Sequence, residues 1–193
     1  HDVIPDRIEA GTYMLAAAIT KGDIILKNAK LEHLMAVVDK LTEAGLEIKK
    51  EPNGFRVRST RRLKPIDVTT LPFPGFPTDM QAQVLSLMTV TDGISVITEK
   101  IYPDRFIHIS ELARMGADII LEGPSAIVKG VKNLSGAPVM ASDLRASAAL
   151  VLAGLVAKGR TEVHRIYHLD RGYEKLEEKL VKLGAKVWRE KDK

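Results

Sequence analysis

Three times along the chain, a small residue, a helix-capping residue and a charged residue open the same pattern: Pro5-Asp6-Arg7, Pro77-Thr78-Asp79 and Ala141-Ser142-Asp143. From each cap an apolar stretch runs 15 to 17 residues to a glycine, at Gly22, Gly93 and Gly159. A β-branched run follows, and a second helical segment ends at another glycine 23 to 25 residues further on, at Gly45, Gly116 and Gly184. Repetition on this scale means one supersecondary unit copied, with units that bury their faces against one another. The copies are expected over about residues 1–64, 65–134 and 135–193 of one domain.

The punctuation places the elements of each unit. Asp6 with Glu9 and Thr78 with Gln81 have the spacing of capping boxes, and Ser142 is expected to cap the third copy, with Arg145 standing where the reciprocal acid would be. The runs Met14–Ile19 and Ala146–Ala153 carry no charged face, so the first helix of each unit is expected to be buried on every side. The second helices are one-sided: Leu34, Val37, Val38 and Leu41, and again Tyr173, Leu176, Leu180 and Leu183, recur at helical spacing with charged residues between them. Strand-like runs cover 23–27, 46–50, 94–99, 118–122, 161–167 and 186–189. Asn53-Gly54 and Gly123-Pro124 turn two of these into hairpins with 55–59 and 126–130. The unit reads β-α-β-α-β-β, with the third copy cut short at its last hairpin. The expected fold is therefore α/β: an inside-out barrel of three such repeats, with three buried helices at the centre and sheets and amphipathic helices outside.

Composition limits the chemistry. Of 193 residues, 45% are hydrophobic and 28% charged, and the longest apolar stretch is about twelve residues, against the roughly 20 that a membrane-spanning helix needs. No membrane span is expected. With zero cysteines, these residues hold no disulfide, thiolate metal site or cysteine nucleophile, which suits a cytoplasmic setting. His164 and His168 are four apart but read as strand residues with no third ligand nearby, so no metal is expected. There is no Walker loop and no G-x-G-x-x-G, and no cofactor is expected. Arg56, Arg58, Arg61, Arg62 and Lys64 cluster with only Phe55 among them, which fits a solvated hairpin edge better than nucleic-acid binding. The chain opens on His1 and enters the first repeat at once, so it reads as a piece of a longer protein.

Five segments carry a resemblance: Phe76–Gln83, Asp104-Arg105-Phe106, Met115-Gly116-Ala117, Ala141–Ser147 and Tyr167–Glu174. They resemble the UDP-N-acetylglucosamine enolpyruvyl transferases of peptidoglycan synthesis, over Pro5 to about Lys186. Members of that family have two inside-out domains joined by a double crossover, with the active site in the cleft between them, and this chain resembles the second domain. The resemblance implies transfer of the enolpyruvyl group of phosphoenolpyruvate to the 3′-hydroxyl of UDP-N-acetylglucosamine, by addition and then elimination of phosphate.

By position, the resemblance makes Asp79 the sugar ligand and general base. It assigns Arg171 to the phosphate, Arg105 and Arg145 to the carboxylate end, Asp143 to the neighbourhood of the reacting carbon and Ile101 to a backbone contact with the nucleotide sugar. Guanidinium forks suit a ligand that carries both a phosphate and a carboxylate. As residue types alone, Asp79 and Asp143 equally suit the helix macrodipole, and any arginine suits a solvated surface. The family's proton-donor loop and a lysine that grips phosphoenolpyruvate belong to the other domain, so this piece alone is expected to be inactive and to bind ligand weakly. Two other readings share the architecture: the transferase that acts on shikimate 3-phosphate, whose phosphate-binding serines do not appear at the expected motif, and RNA-binding modules of related repeat design.

Overall fold

A helix without a charged face is stable in water only when other elements surround it, and three helices here meet that condition. The computed structural model describes residues 1–190, and the last three residues of the repeat expected over 135–193 lie outside the described residues. In chain order the elements are α1 (Arg7–Thr20), β1 (Asp23–Lys27), α2 (Met35–Ala44), β2 (Glu47–Glu51), β3 (Gly54–Arg58), β4 (Val68–Thr69), α3 (Gln81–Met88), β5 (Ile94–Thr98), α4 (His108–Arg114), β6 (Asp118–Glu122), β7 (Ser125–Lys129), β8 (Pro138–Met140), α5 (Leu144–Gly154), β9 (Glu162–His164) and α6 (Leu176–Lys182). Short 3-10 segments cover Leu31–His33, Thr78–Met80 and Ile166–Arg171.

α3 buries all its residues, α1 buries everything from Ala10 to Ile19, and α5 is buried from Ala146 to Leu150. α3 packs most extensively against α5, and α1 touches both. The buried alanines Ala17, Ala82, Ala149 and Ala153 keep these helices slender, which lets their axes approach closely. The hydroxyl of Ser86 donates to the Ala149 carbonyl at 2.9 Å, so even the polar group on this contact is satisfied. Each fully buried leucine, such as Leu15, Leu85 or Leu150, contributes roughly 1.5–3 kcal/mol by leaving water.

Three sheets lie around these helices. The first is antiparallel in the order β1-β3-β2, with Gly54 at the turn paired to both Lys27 and Glu51. Gly54 has φ +134°, and a Cβ there would stand 1.9 Å from the Leu26 carbonyl oxygen, so no other residue fits. The second sheet, β4-β5-β7-β6, pairs β4 with β5 in parallel and the remaining strands antiparallel. The third is the parallel pair β8-β9. Alternate residues, Phe55 and Val57 on β3 and Ala126 and Val128 on β7, point inward as period-two patterning requires. The amphipathic helices cover the outside: Val37, Leu41 and Ala44 on α2, Leu112 on α4, and Leu176 and Leu180 on α6 face the interior. The order β-α-β-α-β-β is complete over 65–134; before it the chain runs α-β-α-β-β, and after it β-α-β-α with no hairpin among the described residues. No helix among the described residues is long and apolar enough to cross a membrane.

Several local expectations give way to tertiary context. Thr78 does not cap α3: it lies inside the 3-10 segment, its oxygen accepts from Arg105, and its hydroxyl donates to Glu99 Oε2 at 2.8 Å. Asp143, not Ser142, caps α5, accepting from the amides of Arg145 and Ala146 at 2.8 and 2.9 Å, so Arg145 is not a disrupted capping box. The strand expected over 161–167 stops at His164, because Arg165 takes a left-handed conformation (φ 60°) and turns the chain into the 3-10 segment. Residues 186–189 form no strand: Arg189 reaches back to Asp170 and Glu177, and Trp188 is exposed. Leu183, just beyond the end of α6, is exposed rather than buried. After α1 it is Lys21 (φ 56°), not Gly22, that adopts the left-handed cap.

Candidate active site

The N-terminal ends of α3 and α5 meet at one carboxylate. Asp79 lies in the 3-10 turn that leads into α3, on the loop that returns from β4. Arg105 arrives on the loop that follows β5, and its Nη2 lies 3.0 Å from Asp79 Oδ1 while its Nη1 donates to Thr78 Oγ1, also at 3.0 Å. Arg145, in the first turn of α5, donates through Nη2 to Asp79 Oδ2 at 3.2 Å. Its other terminal nitrogen donates to the Tyr173 hydroxyl at 3.4 Å, and the guanidinium stands over the Tyr173 ring at 5.8 Å. One carboxylate is thus held between two guanidinium forks.

Behind this surface lies a polar relay to all three buried helices. The Thr12 hydroxyl on α1 donates to the Ile8 carbonyl, so the 2.8 Å contact between Thr12 and the Tyr173 hydroxyl has Tyr173 as donor. The Tyr173 oxygen is then free to accept from Arg145 and from Gln83 Nε2 on α3. Gln83 Nε2 also donates to the Asp79 backbone carbonyl at 2.9 Å. Tyr173 is buried and follows the 3-10 segment after β9, so the third part of the chain fixes Arg145 from behind.

Burial pushes the Asp79 carboxyl up, but Arg145 and Arg105 together outweigh it and hold the group below the usual carboxylate range. Burial pulls Arg145 down, and the Tyr173 hydroxyl and Asp79 more than restore it, so it stays a cation. His108, at the start of α4, is wholly enclosed; burial lowers its pKa to about 4 against the opposing charge of Asp143, with Arg105 adding to the fall. It is neutral at neutral pH, and its Nε2 has no hydrogen-bond partner among the described residues.

Of the residues singled out from the sequence, Asp79, Arg105 and Arg145 meet directly, and Asp143 caps the helix that carries Arg145. Arg171 is exposed at the end of the 3-10 segment, with no ion pair among the described residues, beside Gly172, where an added Cβ would lie 2.8 Å from Leu144 at the head of α5. Ile101 is exposed, and its amide is taken by Glu99 Oε1 at 2.7 Å. His164 lies near Glu162, and no group of three metal-binding side chains occurs among the described residues. The basic cluster is largely paired: Arg56 and Arg58 share Asp23, and Arg62 meets Asp92.

Sequence reasoning missed Glu99, Thr78, Tyr173 and Gln83 as parts of the site. A signal existed for Glu99, which shares the inward parity of Ser95 and Ile97 and is fully buried, an unusual setting for an acid.

Comparison with known proteins places this chain. It belongs to the carboxyvinyl transferases of the EPSP synthase (3-phosphoshikimate 1-carboxyvinyltransferase) family, whose family model matches residues 1–180. Within that family it is 62% identical over 192 residues to the UDP-N-acetylglucosamine 1-carboxyvinyltransferase of Geobacter metallireducens, covering 100% of this chain and 46% of that protein. It is 59% identical over 191 residues to the protein of the same name from Myxococcus xanthus, covering 99% of this chain and 46% of the other. The chain therefore spans a little under half the length of these relatives. Among solved structures, the enolpyruvyl transferase NikO from Streptomyces tendae superposes with a TM-score of 0.85 at 30% identity, covering 95% of this chain and 44% of that one. EPSP synthase from Acinetobacter baumannii gives a TM-score of 0.65 at 18% identity, a likeness of fold.

Proposed function

We propose that this chain is one inside-out barrel domain, built of three repeats, and forms one wall of the active site of a UDP-N-acetylglucosamine 1-carboxyvinyltransferase. The observation that carries this reading is Asp79 held between Arg105 and Arg145. Three anionic and cationic groups so disposed give an incoming phosphoenolpyruvate two guanidinium partners beside a potential base. On this reading the protein acts in the cytoplasm, in peptidoglycan synthesis, and the opposite wall comes from a further domain of the same protein.

Asp79 is a weak base while both arginines hold it. When the carboxylate of phosphoenolpyruvate draws Arg105 and Arg145 away, the charges that depress Asp79 leave and its basicity rises toward that of an ordinary carboxylate or above, since its burial remains. Binding of the anion thus readies the base. Asp79 then removes the proton of the sugar 3′-hydroxyl, whose oxygen bonds to C2 of phosphoenolpyruvate while a donor outside this chain protonates C3. Loss of a C3 proton with cleavage of the C2–O bond to phosphate releases phosphate, re-forms the C2–C3 double bond and leaves the enolpyruvyl ether of the sugar. Arg171, at the end of the 3-10 segment whose next residue abuts the head of α5, serves the phosphate; Ile101 supports the sugar through its backbone; and Asp143 orients Arg145 by fixing the amide of that residue.

The shikimate 3-phosphate reading shares the family, but the identity to UDP-N-acetylglucosamine enzymes, 62% against 18% for the EPSP synthase structure, favours the sugar nucleotide. The test is phosphate release from phosphoenolpyruvate by the full-length protein that contains this chain, with either acceptor. Release with UDP-N-acetylglucosamine and none with shikimate 3-phosphate is expected, and the reverse would overturn the proposal. Binding of RNA by the chain that weakened steeply between two salt concentrations would favour the nucleic-acid reading instead.

A further inference from the structure

Glu99 is fully buried just beyond β5, and its two oxygens are shared among four partners on two sides. Oε2 accepts from the Thr78 hydroxyl at 2.8 Å. Oε1 accepts from the Thr70 hydroxyl and from the amides of Ile101 and Tyr102 at 2.7 and 3.0 Å. Because the single proton of Thr78 is committed to Glu99, the oxygen of Thr78 presents only lone pairs to Arg105, whose Nη1 donates to it at 3.0 Å. The same carboxylate closes the turn that carries Ile101.

We propose that Glu99 is a positioning residue that serves two arms of the site at once: it aims Arg105 through the polarity of the Thr78 hydroxyl, and it fixes the backbone at Ile101 and Tyr102. The catalytic consequence rests on the reading of Arg105 and Ile101 as substrate contacts. A carboxylate is required because every partner is a donor. In Glu99→Gln the side-chain carbonyl keeps the side with three donors, and the amide NH2 faces Thr78. The Thr78 hydroxyl must then accept from the amide and turn its own proton toward Arg105, a donor facing a donor. Glu99→Gln therefore disables the arginine arm and spares the turn, whereas Glu99→Ala disables both.

The test uses steady-state kinetics of the full-length protein. Glu99→Gln and Thr78→Val are each expected to raise KM for phosphoenolpyruvate about ten-fold or more, the loss of one hydrogen bond to a charged group, with KM for UDP-N-acetylglucosamine little changed. The double variant is expected to be no worse than either single one, because both break the same relay, and Thr78→Ser is expected to recover most of what Thr78→Val loses. Additive effects, or an unchanged KM for phosphoenolpyruvate, would overturn the proposal. If Glu99→Gln fails to fold, Thr78→Val and Thr78→Ser at a half-buried hydroxyl decide the matter. If the wild-type protein turns over neither acceptor, the functional reading fails separately. The relay is then read from the Asp79 carboxyl by NMR titration: Glu99→Gln, by loosening Arg105, is expected to move that group upward, and no movement would refute it.

Discussion

Replacing Asp79 by Asn separates two roles that the proposed function gives to one carboxylate. Its charge holds Arg105 and Arg145 at 3.0 and 3.2 Å, and on the proposed function a substrate anion takes its place. The Asp79 side chain is 38% exposed, so each pair is screened and amounts to about 1 kcal/mol rather than the several expected of an enclosed pair. Asn keeps one acceptor oxygen and nearly the same shape but removes that competing charge. Phosphoenolpyruvate, measured by isothermal titration calorimetry on the full-length protein, is therefore expected to bind Asp79→Asn up to about ten-fold more tightly than wild type. Turnover is expected to fall by about 10²-fold or more, as for loss of a general base. The variant should also lose roughly 1–2 kcal/mol of stability, because two guanidinium groups only 24% and 13% exposed would then face each other uncompensated. A large drop in affinity for phosphoenolpyruvate would refute the idea that Asp79 occupies the anion's place, and preserved turnover would refute its role as base.

Three other outcomes follow from the same contacts. His108 has a folded pKa of about 4 against an ordinary value near 6.5, so its contribution is present above pH ~6.5 and is lost as pH falls toward 4, to the extent of about 3 kcal/mol; denaturant melts across that range should show the loss, and His108→Leu should flatten it. Tyr173→Phe removes the acceptor shared by Arg145 and Gln83 and the donor to Thr12, and is expected to cost about 1–3 kcal/mol in urea melts, with a weakened grip of Arg145 seen as a raised KM for phosphoenolpyruvate. Gly54→Ala forces a Cβ to within 1.9 Å of the Leu26 carbonyl at φ +134°; it is expected to destabilise by about 3 kcal/mol or more, and a loss below 1 kcal/mol would show that the turn yields easily.

Much of the scaffold was readable because its signals are short-range. The absence of charge over 14–19 and 146–153 gave two of the three buried helices, and Asn53-Gly54 gave the β2–β3 turn to within a residue. The period-two parity of β5 could have marked Glu99 as an inward-facing acid, yet nothing local says that an acid there will find four donors. The failures were also local readings overruled from afar: Thr78 has the chemistry of a cap, but its hydroxyl proton goes to a carboxylate 21 residues away and its oxygen accepts from Arg105 rather than from a helix amide.

Sequence alone determined most of the elements, because helix period and turn residues act over a few positions and need no knowledge of distant neighbours. It also supplied the residue types of the site through their motifs. Only the packing of α1, α3 and α5 decided that Asp79 and Arg145, 66 residues apart, would touch, and that Thr12, Gln83 and Tyr173 would brace them from within. Such contacts depend on how whole helices stack, and the direction of a single hydroxyl proton depends on which acceptor that stacking brings nearest.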